Sequence, residues 1–265
     1  MIAKRPAPPS KHLSLASDNT ERYWRPMIVD NITKDMDPKL RSRRVPKLSL
    51  PDNIDHKYGA PDPFIVSDGS DTWIFAEMVD KKSQNGELGV ARFNQESLTF
   101  RTVIKESYHL SFPNVFKHDN EWYMIPESYK SGRIILYRAI EFPYKWEKLQ
   151  TIWNQDGMDS IPFQLGKKWY LFTTLVSTQR SFILTTDRFP TGKWTKVKSD
   201  PLPEGYRGGG NAIYRFDKVI LPIQPVVPGA AYGSALSLYS IDDELNMKKE
   251  VQFAQFSHSK GMHHM

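Results

Sequence analysis

The stretch Trp122-Tyr123-Met124-Ile125-Pro126-Glu127 decides the fold, because its pattern recurs three more times at a step of about fifty residues. The other copies are Thr72-Trp73-Ile74-Phe75-Ala76-Glu77, Trp169-Tyr170-Leu171-Phe172-Thr173-Thr174 and Lys218-Val219-Ile220-Leu221-Pro222-Ile223. Each copy follows a short apolar run and a polar turn, and a third apolar run comes after it. A step of this size with several strands per copy is typical of radial or stacked repeats, and the leading interpretation is a β-propeller.

Each repeat is expected to hold four short strands separated by Gly, Asp and Asn turns, which is typical of an all-β chain. In the second repeat these strands are expected at 114–116, 122–125 and 133–138, with a last one after Trp146. Helical periodicity is hard to find anywhere in the chain. Because a propeller gathers the starts of its innermost strands around one axis, residues far apart in sequence meet at one end of it.

The repeat step also predicts how the propeller closes. The inner strands are expected to begin near Asp62, Phe112, Asp159 and Gly210, and one further step leads to residues 261–264. A strand at 258–265 would then form the inside of a fifth blade. A partner strand at 24–29 would help to cover the open sheet edge. The alternative for this end of the chain is an unstructured, tag-like segment.

The sequence therefore predicts an all-β, five-bladed β-propeller. Residues 1–57 are expected to form a tail and an extended segment that contributes to blade closure. Residues 34–57 within it are polar and proline-punctuated, so they are interpreted as an extended connection. Residues 58–265 are expected to form the propeller as a single domain.

The bulk composition limits the class of protein. Apolar residues make up 39% of the 265 residues and aromatic residues 12%, which is enough for a packed core. A net charge of +6 suits an anionic ligand but is far from a nucleic-acid-binding signature. The absence of cysteine excludes disulfides and thiolate chemistry. With no signal-peptide pattern and no apolar stretch near the length of a membrane span, we expect a cytoplasmic protein. The oligomeric state stays open.

Four acidic residues stand in matching positions of the repeats. Asp62 and Asp159 begin inner strands, and Glu77 and Glu127 end second strands; we call these four residues the acid set. Glycoside hydrolysis needs a protonated acid on one side of the bond and a carboxylate on the other. Crowded carboxylates repel, so at least one of the set is expected to have a raised pKa. For each acid alone, a turn cap or an Arg pair is an equal alternative, but their shared positions favour a functional site.

Other polar residues are expected near the same end of the axis as substrate-binding groups. They are His109, Ser111, Asn114, Arg207, Gln224 and His263. The run Gly208-Gly209-Gly210 lacks the Lys-Ser/Thr and the helix of a phosphate-binding loop. The seven histidines have no zinc-type spacing, so neither a metal site nor a cofactor is predicted. A single ion in the central channel stays open.

Several motifs resemble one known family. They are Ala60-Pro61-Asp62-Pro63-Phe64, Tyr108-His109-Leu110-Ser111-Phe112-Pro113, Tyr123-Met124-Ile125-Pro126-Glu127-Ser128, Leu136-Tyr137-Arg138-Ala139 with the Phe-Pro element after it, and Gln224 with Tyr232-Gly233. Together they resemble the domain N-terminal to the transferase domain in plant glucosamine inositolphosphorylceramide transferases and its bacterial relatives. This domain is similar to the five-bladed propellers of arabinanases, invertases and levansucrases. The resemblance spans residues 61–264.

The resemblance implies roles for particular residues. Asp62 matches the first-blade Asp that acts as nucleophile or base in those glycosidases. Asp159 stands where invertase-like enzymes have their acid Glu. Their second inner strand starts with an Asp that binds sugar hydroxyls, and this chain has Ser111-Phe112-Pro113 there. Glu127 or Glu77 would then fill the missing role. The resemblance thus implies Asp62, Glu127 and Asp159 as catalytic residues, with Glu77 and Tyr232 among the substrate-binding ones.

The functional expectation is a carbohydrate-active propeller with an acidic axial pocket. It would be glycosidase-like or glycosyl-transferring, acting on a furanose-like or surface-glycan sugar. The alternative is a non-catalytic carbohydrate-binding or accessory module in glycan biosynthesis. The expected partner is a carbohydrate or glycoconjugate and not a nucleic acid. A scaffold that binds protein with a propeller face is a third hypothesis, against which the dense polar funnel argues.

Overall fold

A computed structural model describes residues 27–30, 41–44, 48–93, 97–215, 217–225 and 235–253. The structure begins with three short strands, β1 (Met27–Asp30), β2 (Arg41–Arg44) and β3 (Leu48–Ser49). Strands β1 and β2 pair antiparallel with one another. Strands β2 and β3 lie inside the segment 34–57, which was expected to be an extended connection, and the contribution of residues 1–57 to blade closure stays a prediction. Extended backbone carries N–H and C=O groups that find partners in neighbouring strands.

The first two repeats each fold into a four-stranded antiparallel sheet. Blade 1 consists of β4 (Phe64–Ser67), β5 (Thr72–Val79), β6 (Gly86–Arg92) and, after the two-residue β7 (Leu98–Thr99), β8 (Arg101–Ile104). Strand β7 pairs in parallel with β3, which attaches the preceding segment to blade 1. Blade 2 consists of β9 (Ser111–His118), β10 (Glu121–Glu127), β11 (Ile134–Glu141) and β12 (Lys145–Trp153).

The third and fourth repeats continue the series. Blade 3 consists of β13 (Gly157–Leu165), β14 (Lys168–Leu175), β15 (Ser181–Thr186) and β16 (Thr195–Ser199). In blade 4 the inner strand is split into β17 (Arg207–Gly208) and β18 (Ile213–Arg215), followed by β19 (Lys218–Gln224), β20 (Leu236–Ile241) and β21 (Met247–Phe253). The one helical turn in the described residues is a 3-10 turn at Tyr129–Ser131. No helix in these ranges has the length and apolar character needed to cross a membrane.

The inner strands of consecutive blades lie against one another, β4 with β9, β9 with β13 and β13 with β17. This is the arrangement of a β-propeller, and the prediction of an all-β propeller is confirmed. Four blades are present in the described residues. Their strands give no contact between blade 4 and blade 1 comparable to those between successive blades. The strand expected at 258–265 lies outside the described residues, so the count of five blades stays a prediction.

Apolar layers fill the spaces between successive blades. One cluster joins blades 1 and 2 and includes Phe75, Phe112 and Met124, and further clusters join blade 2 to blade 3 and blade 3 to blade 4. The repeated Phe-Pro element has a packing role in this scheme. Its Phe stacks on the Trp at the start of the second strand of the same blade. The ring centroids are 4.3 Å apart for Phe142 on Trp122 and 4.6 Å apart for Phe189 on Trp169.

The start of each inner strand carries a local irregularity in blades 1 to 3. Asp62, Phe112 and Asp159 have positive φ angles of 50°, 48° and 46°. The inner strand has one residue more than its partner at this point, because Ser111 pairs with Glu127 while Asn114 pairs with Ile125. Blade 3 has the same shift, and in blade 1 the Glu77 N–H bonds to the Pro61 carbonyl. Each of these strands therefore begins with a β-bulge, a device that redirects side chains.

A turn in blade 1 supplies a test of pH-dependent stability. The Asp68 carboxylate accepts hydrogen bonds from the Asp71 and Ser70 N–H groups, the Ser70 hydroxyl and the Trp73 indole. These donors hold the pKa of Asp68 well below its ordinary value, the Asp71 N–H contributing most. A lowered folded-state pKa means that the stabilisation is present at neutral pH. It is lost progressively as the pH falls below about 4.

We expect Asp68→Asn to lower the melting temperature at pH 7, since its amide nitrogen cannot accept the Trp73 N–H. The difference in melting temperature between this variant and the unmodified protein should narrow as the pH is lowered from about 5 towards 2, as measured by thermal unfolding. Asp187→Asn is the control, because that carboxylate is 78% exposed and pairs with Lys168 at the surface. A gap that stays constant or widens with acid would contradict the role given to the Asp68 carboxylate.

Gly208 tests the contact between blades 3 and 4. A Cβ added to Gly208 would overlap the Asp159 backbone carbonyl in the neighbouring blade. We expect Gly208→Ala to cost about 1–3 kcal/mol of unfolding free energy, since backbone cannot move aside without separating the strands. Gly89→Ala is the matched control, because there the added methyl first meets the end of the flexible Met78 side chain. Equal losses in the two variants, measured by denaturant unfolding, would show that the two blades are not tightly apposed at this point.

Candidate functional site

Glu127 connects blades 2 and 3 at the end of the axis where the inner strands start. It is the last residue of β10 and is 2% exposed. One carboxylate oxygen accepts the Ser111 hydroxyl at 3.1 Å, and the other accepts the Asp159 backbone N–H at 3.3 Å. The bulge in β13 directs that N–H towards the neighbouring blade. Both carboxylate oxygens of Glu127 therefore act as acceptors, one within blade 2 and one towards blade 3.

Asp159 continues the connection from blade 3 to blade 4. Its side chain is fully buried, and its Oδ2 lies 3.1 Å from Nε of Arg207. Arg207 also places an NH group 3.5 Å from the Met158 sulfur. Glu127, Asp159 and Arg207 therefore form a continuous polar chain across three blades. Its solvent-facing end is Arg207, whose side chain is 13% exposed.

A second polar chain lies between blades 1 and 2. His109 Nδ1 accepts the Gly86 N–H at 2.8 Å, so the ring proton is on Nε2 and the imidazole is neutral. Nε2 lies 3.3 Å from Oε1 of Glu77 and donates to it. Glu77 is buried, whereas 16% of the His109 side chain is exposed. His109 and Arg207 thus stand at the surface, each in front of a buried acid.

Asp62 occupies the bulge of blade 1, in the position that Asp159 occupies in blade 3. It is fully buried. The preceding residue, Pro61, accepts the Glu77 N–H at 3.0 Å, which fixes the end of β5 beside the start of the inner strand. The structure therefore brings members of the acid set to the same end of three blades, as their shared register predicts.

The remaining sequence-predicted residues have mixed surroundings. Asn114 is 1% exposed and donates its amide N–H to the Ser160 carbonyl of the next blade at 3.3 Å. Gln224 is 4% exposed and donates to the Gly208 carbonyl within blade 4. The Asn114 amide therefore joins blades 2 and 3, whereas the Gln224 amide bonds within blade 4. Tyr232 and His263 lie outside the described residues.

Two residues that sequence reasoning missed support His109. Gly86 supplies the N–H that sets the histidine tautomer, and a Cβ there would overlap the Leu110 carbonyl and crowd Glu77 and His109. Tyr129 lies beside the imidazole, with ring centroids 6.3 Å apart. The only sequence signal for Gly86 was that a glycine stands at the start of β6. No sequence signal pointed to Tyr129, which lies in the short turn after β10.

The expected acidic axial pocket stays a prediction. A cavity of about 300 Å³ lies between the inner strands of blades 2, 3 and 4, and of the predicted site residues only Asn114 lines it. The acid set is 0–2% exposed and lies at the inner-strand starts. Three of these acids face a partner in the next blade: Glu77 faces His109, Glu127 faces the Asp159 N–H, and Asp159 faces Arg207. No three His, Asp or Glu side chains in the described ranges are placed to hold a metal ion.

Comparisons with solved structures agree with the architecture. An exo-β-1,3-galactanase from Phanerochaete chrysosporium, in complex with β-1,3-galactotriose, superposes with a TM-score of 0.63 at 11% identity, covering 83% of this chain and 54% of the other. The catalytic domain of an α-L-arabinofuranosidase from Coprinopsis cinerea gives a TM-score of 0.58 at 14% identity, covering 76% of this chain and 74% of the other. At these identities the likeness shows a shared fold.

Sequence comparison gives a nearer relationship. Glucosamine inositolphosphorylceramide transferase 1 of Oryza sativa subsp. indica is 29% identical over 194 residues, which are 68% of this chain and 26% of the relative. The chain thus spans about a quarter of the length of that curated relative. The family model described as "Glucosamine inositolphosphorylceramide transferase 1, N-terminal" matches residues 48–262. Since this match covers most of the sequence and all four blades, the chain belongs to that family.

Proposed function

We propose that this chain binds the carbohydrate part of a glycoconjugate at the acid set and serves as a recognition module in glycan transfer. The observation that carries the proposal is the polar chain from Glu127 through Asp159 to Arg207, which joins three blades and reaches the surface. Glu127 and Asp159 are buried acceptors, and Arg207 is a partly exposed donor with a positive charge. A small ligand would therefore find both acceptors and a cationic contact. Such convergent polar groups fix ligand orientation in binding sites.

The charge balance of the site indicates the class of ligand. The acid set supplies four carboxylates, whereas Arg207 supplies one permanent cation and His109 is neutral in its present tautomer. An excess of carboxylates favours a ligand with hydroxyl or ammonium donors, and the guanidinium suits a neighbouring phosphate. Glucosamine linked to an inositol phosphate has both features. The name of the rice relative contains the same two groups, which supports this choice.

The hydrogen-bond and ion-pair partners of Glu127 and Asp159 favour ligand recognition over hydrolysis. A general acid must carry a proton when it reaches the leaving oxygen. Glu127 accepts two donors and Asp159 faces a guanidinium, so the described contacts of both residues are those of hydrogen-bond acceptors and not of a proton donor.

Hydrolysis or transfer at the same site is the second candidate. It is supported by the shared fold with an exo-β-1,3-galactanase and an α-L-arabinofuranosidase. It is also supported by the matching bulge positions of Asp62 and Asp159, which start inner strands in blades 1 and 3. Under this candidate Asp62 is the nucleophile or base.

The test uses the whole chain with glucosaminyl-inositol phosphate as the probe, measured by calorimetric titration. We expect binding, and we expect Asp62→Asn to weaken it by roughly tenfold or more, because a charged acceptor is replaced by a neutral one. The N-acetylated probe should also bind more weakly, since it has lost its ammonium group. Asp187→Asn, an exposed acid on blade 3, is the matched control and should bind normally.

The same variants separate the two candidates. Release of nitrophenol from nitrophenyl arabinofuranoside, galactoside and xyloside is measured for the unmodified chain and for Asp62→Asn. Turnover that disappears in Asp62→Asn, while Asp187→Asn retains it, would favour catalysis. Unchanged probe binding in Asp62→Asn, together with no turnover in the unmodified chain, would refute both candidates. Thermal unfolding of each variant checks that the fold is intact.

We also propose that the propeller has a fifth blade completed by the two ends of the chain. The support is the repeat step, which falls on residues 261–264, and the lack of blade 1 to blade 4 packing among the described strands. Deleting residues 257–265 should then lower the melting temperature substantially, because core surface and a sheet edge are exposed. An unchanged melting temperature in the truncated protein would refute the fifth blade.

A further inference from the structure

A cavity of about 300 Å³ lies between the inner strands of blades 2, 3 and 4, and no member of the acid set lines it. Its walls come from the inner strands of blades 2, 3 and 4 and from the start of the second strand of blade 3. The side chains that matter for the argument are Asn114, Phe116, Gln164, Trp169, Asn211 and Tyr214. The function proposed above uses none of these residues, although the sequence predicted Asn114 as a substrate-binding group.

Strand register places this cavity towards the opposite end of the axis. In β9, Ser111 pairs with Glu127, whereas Lys117 at the cavity pairs with Trp122 at the other end of the hairpin. Ser111 and Lys117 are six positions apart along this extended strand, which corresponds to roughly 20 Å. A ligand at the mouth of the cavity therefore does not touch the acid set. The two places are distinct sites of one propeller.

The lining has the chemistry of a site for a neutral, hydroxyl-rich ring. Three amide side chains, Asn114, Gln164 and Asn211, each offer a donor and an acceptor. Phe116, Trp169 and Tyr214 add aromatic surface that can cover the apolar face of a ring. No carboxylate is among the described lining residues, and the one charged side chain is Lys117. This mixture differs from the acid set, which is dominated by carboxylates.

Tyr214 gives the cavity a preformed wall. It is 58% exposed, so its ring is accessible to a ligand. Its hydroxyl nevertheless accepts the Gln164 backbone N–H of blade 3 at 2.7 Å, so the ring bridges two blades. An exposed ring held in one orientation loses little freedom when a ligand packs on it. Asn114 is likewise held, through its bond to the Ser160 carbonyl.

We infer that this cavity is a second carbohydrate site that takes a single neutral sugar ring. Its volume is at the lower end of the range for ligand pockets, which suits one ring and not a polysaccharide segment. The competing view is a polar channel filled by water, as polar cavities commonly are. The Asn114 and Gln164 amides already donate to the Ser160 and Gly166 carbonyls, and their own oxygens can accept from a hydroxyl-rich ligand, which favours a sugar over an apolar ligand.

The experiment is a nuclear magnetic resonance titration of the whole chain with galactose, glucose, xylose and arabinose as separate probes. The indole N–H signal of Trp169, which lines the cavity, is identified by its loss in Trp169→Phe. We expect at least one probe to shift this signal with saturation in the millimolar range. Tyr214→Ala should weaken that binding by at least fivefold, since it removes the aromatic wall but little buried surface.

Two further variants make the result decisive. Ile140→Ala removes another exposed apolar side chain, 65% exposed on blade 2, and should bind the probe normally. Asp62→Asn should also bind it normally, because the acid set lies elsewhere. Saturable shifts that survive Tyr214→Ala, or that vanish in Asp62→Asn, would overturn the second site. A Trp169 signal unmoved by every probe would identify a water-filled channel and also overturn it, while leaving binding at the acid set untouched.

Discussion

The structure depends on a backbone constraint at the start of the inner strands. In three successive blades one extra residue is accommodated in a conformation of positive φ, and the strand pairing resumes one residue out of step. Such a conformation is uncommon for residues other than glycine, least so for Asp and Asn, and unusual for Phe. The bulge turns the backbone N–H and side chain at this point towards the neighbouring blade. It is therefore the feature that allows Glu127 to accept the Asp159 N–H.

The same bulge position is used for packing in one blade and for charge in two others. In blade 2 it holds Phe112, whose ring meets Phe64 of blade 1 edge-on at 4.9 Å. In blades 1 and 3 it holds Asp62 and Asp159. Burying a carboxylate costs several kcal/mol even after relaxation, whereas an apolar residue there would stabilise the interface. The sequence thus retains two acids at positions where blade 2 shows that an aromatic side chain fits, which favours a ligand-binding role for them.

The repeat made most of the fold predictable, because each blade repeats the same local pattern. The strands of blade 2 were expected at 114–116, 122–125 and 133–138, and each of these ranges overlaps an observed strand that is longer. The strands at Arg41–Arg44 and Leu48–Ser49 were missed, since they fall outside the repeat and pair with distant segments. The hydrogen-bond partners of the site residues could not be predicted from the sequence either. Which N–H faces His109 depends on the close approach of Gly86, a tertiary contact that no local pattern encodes.

Under the proposed function, ligand recognition would be coupled to blade packing, because Glu127 and Asp159 each have a polar partner in the adjacent blade. Glu127 of blade 2 is held by the backbone of blade 3, and Asp159 of blade 3 is held by Arg207 of blade 4. A ligand that drew Arg207 away would leave Asp159 short of its cation, so it would have to replace that charge itself. A ligand that only accepts hydrogen bonds cannot do so, whereas an ammonium group can. This constraint gives an independent reason to expect an amino sugar at the acid set.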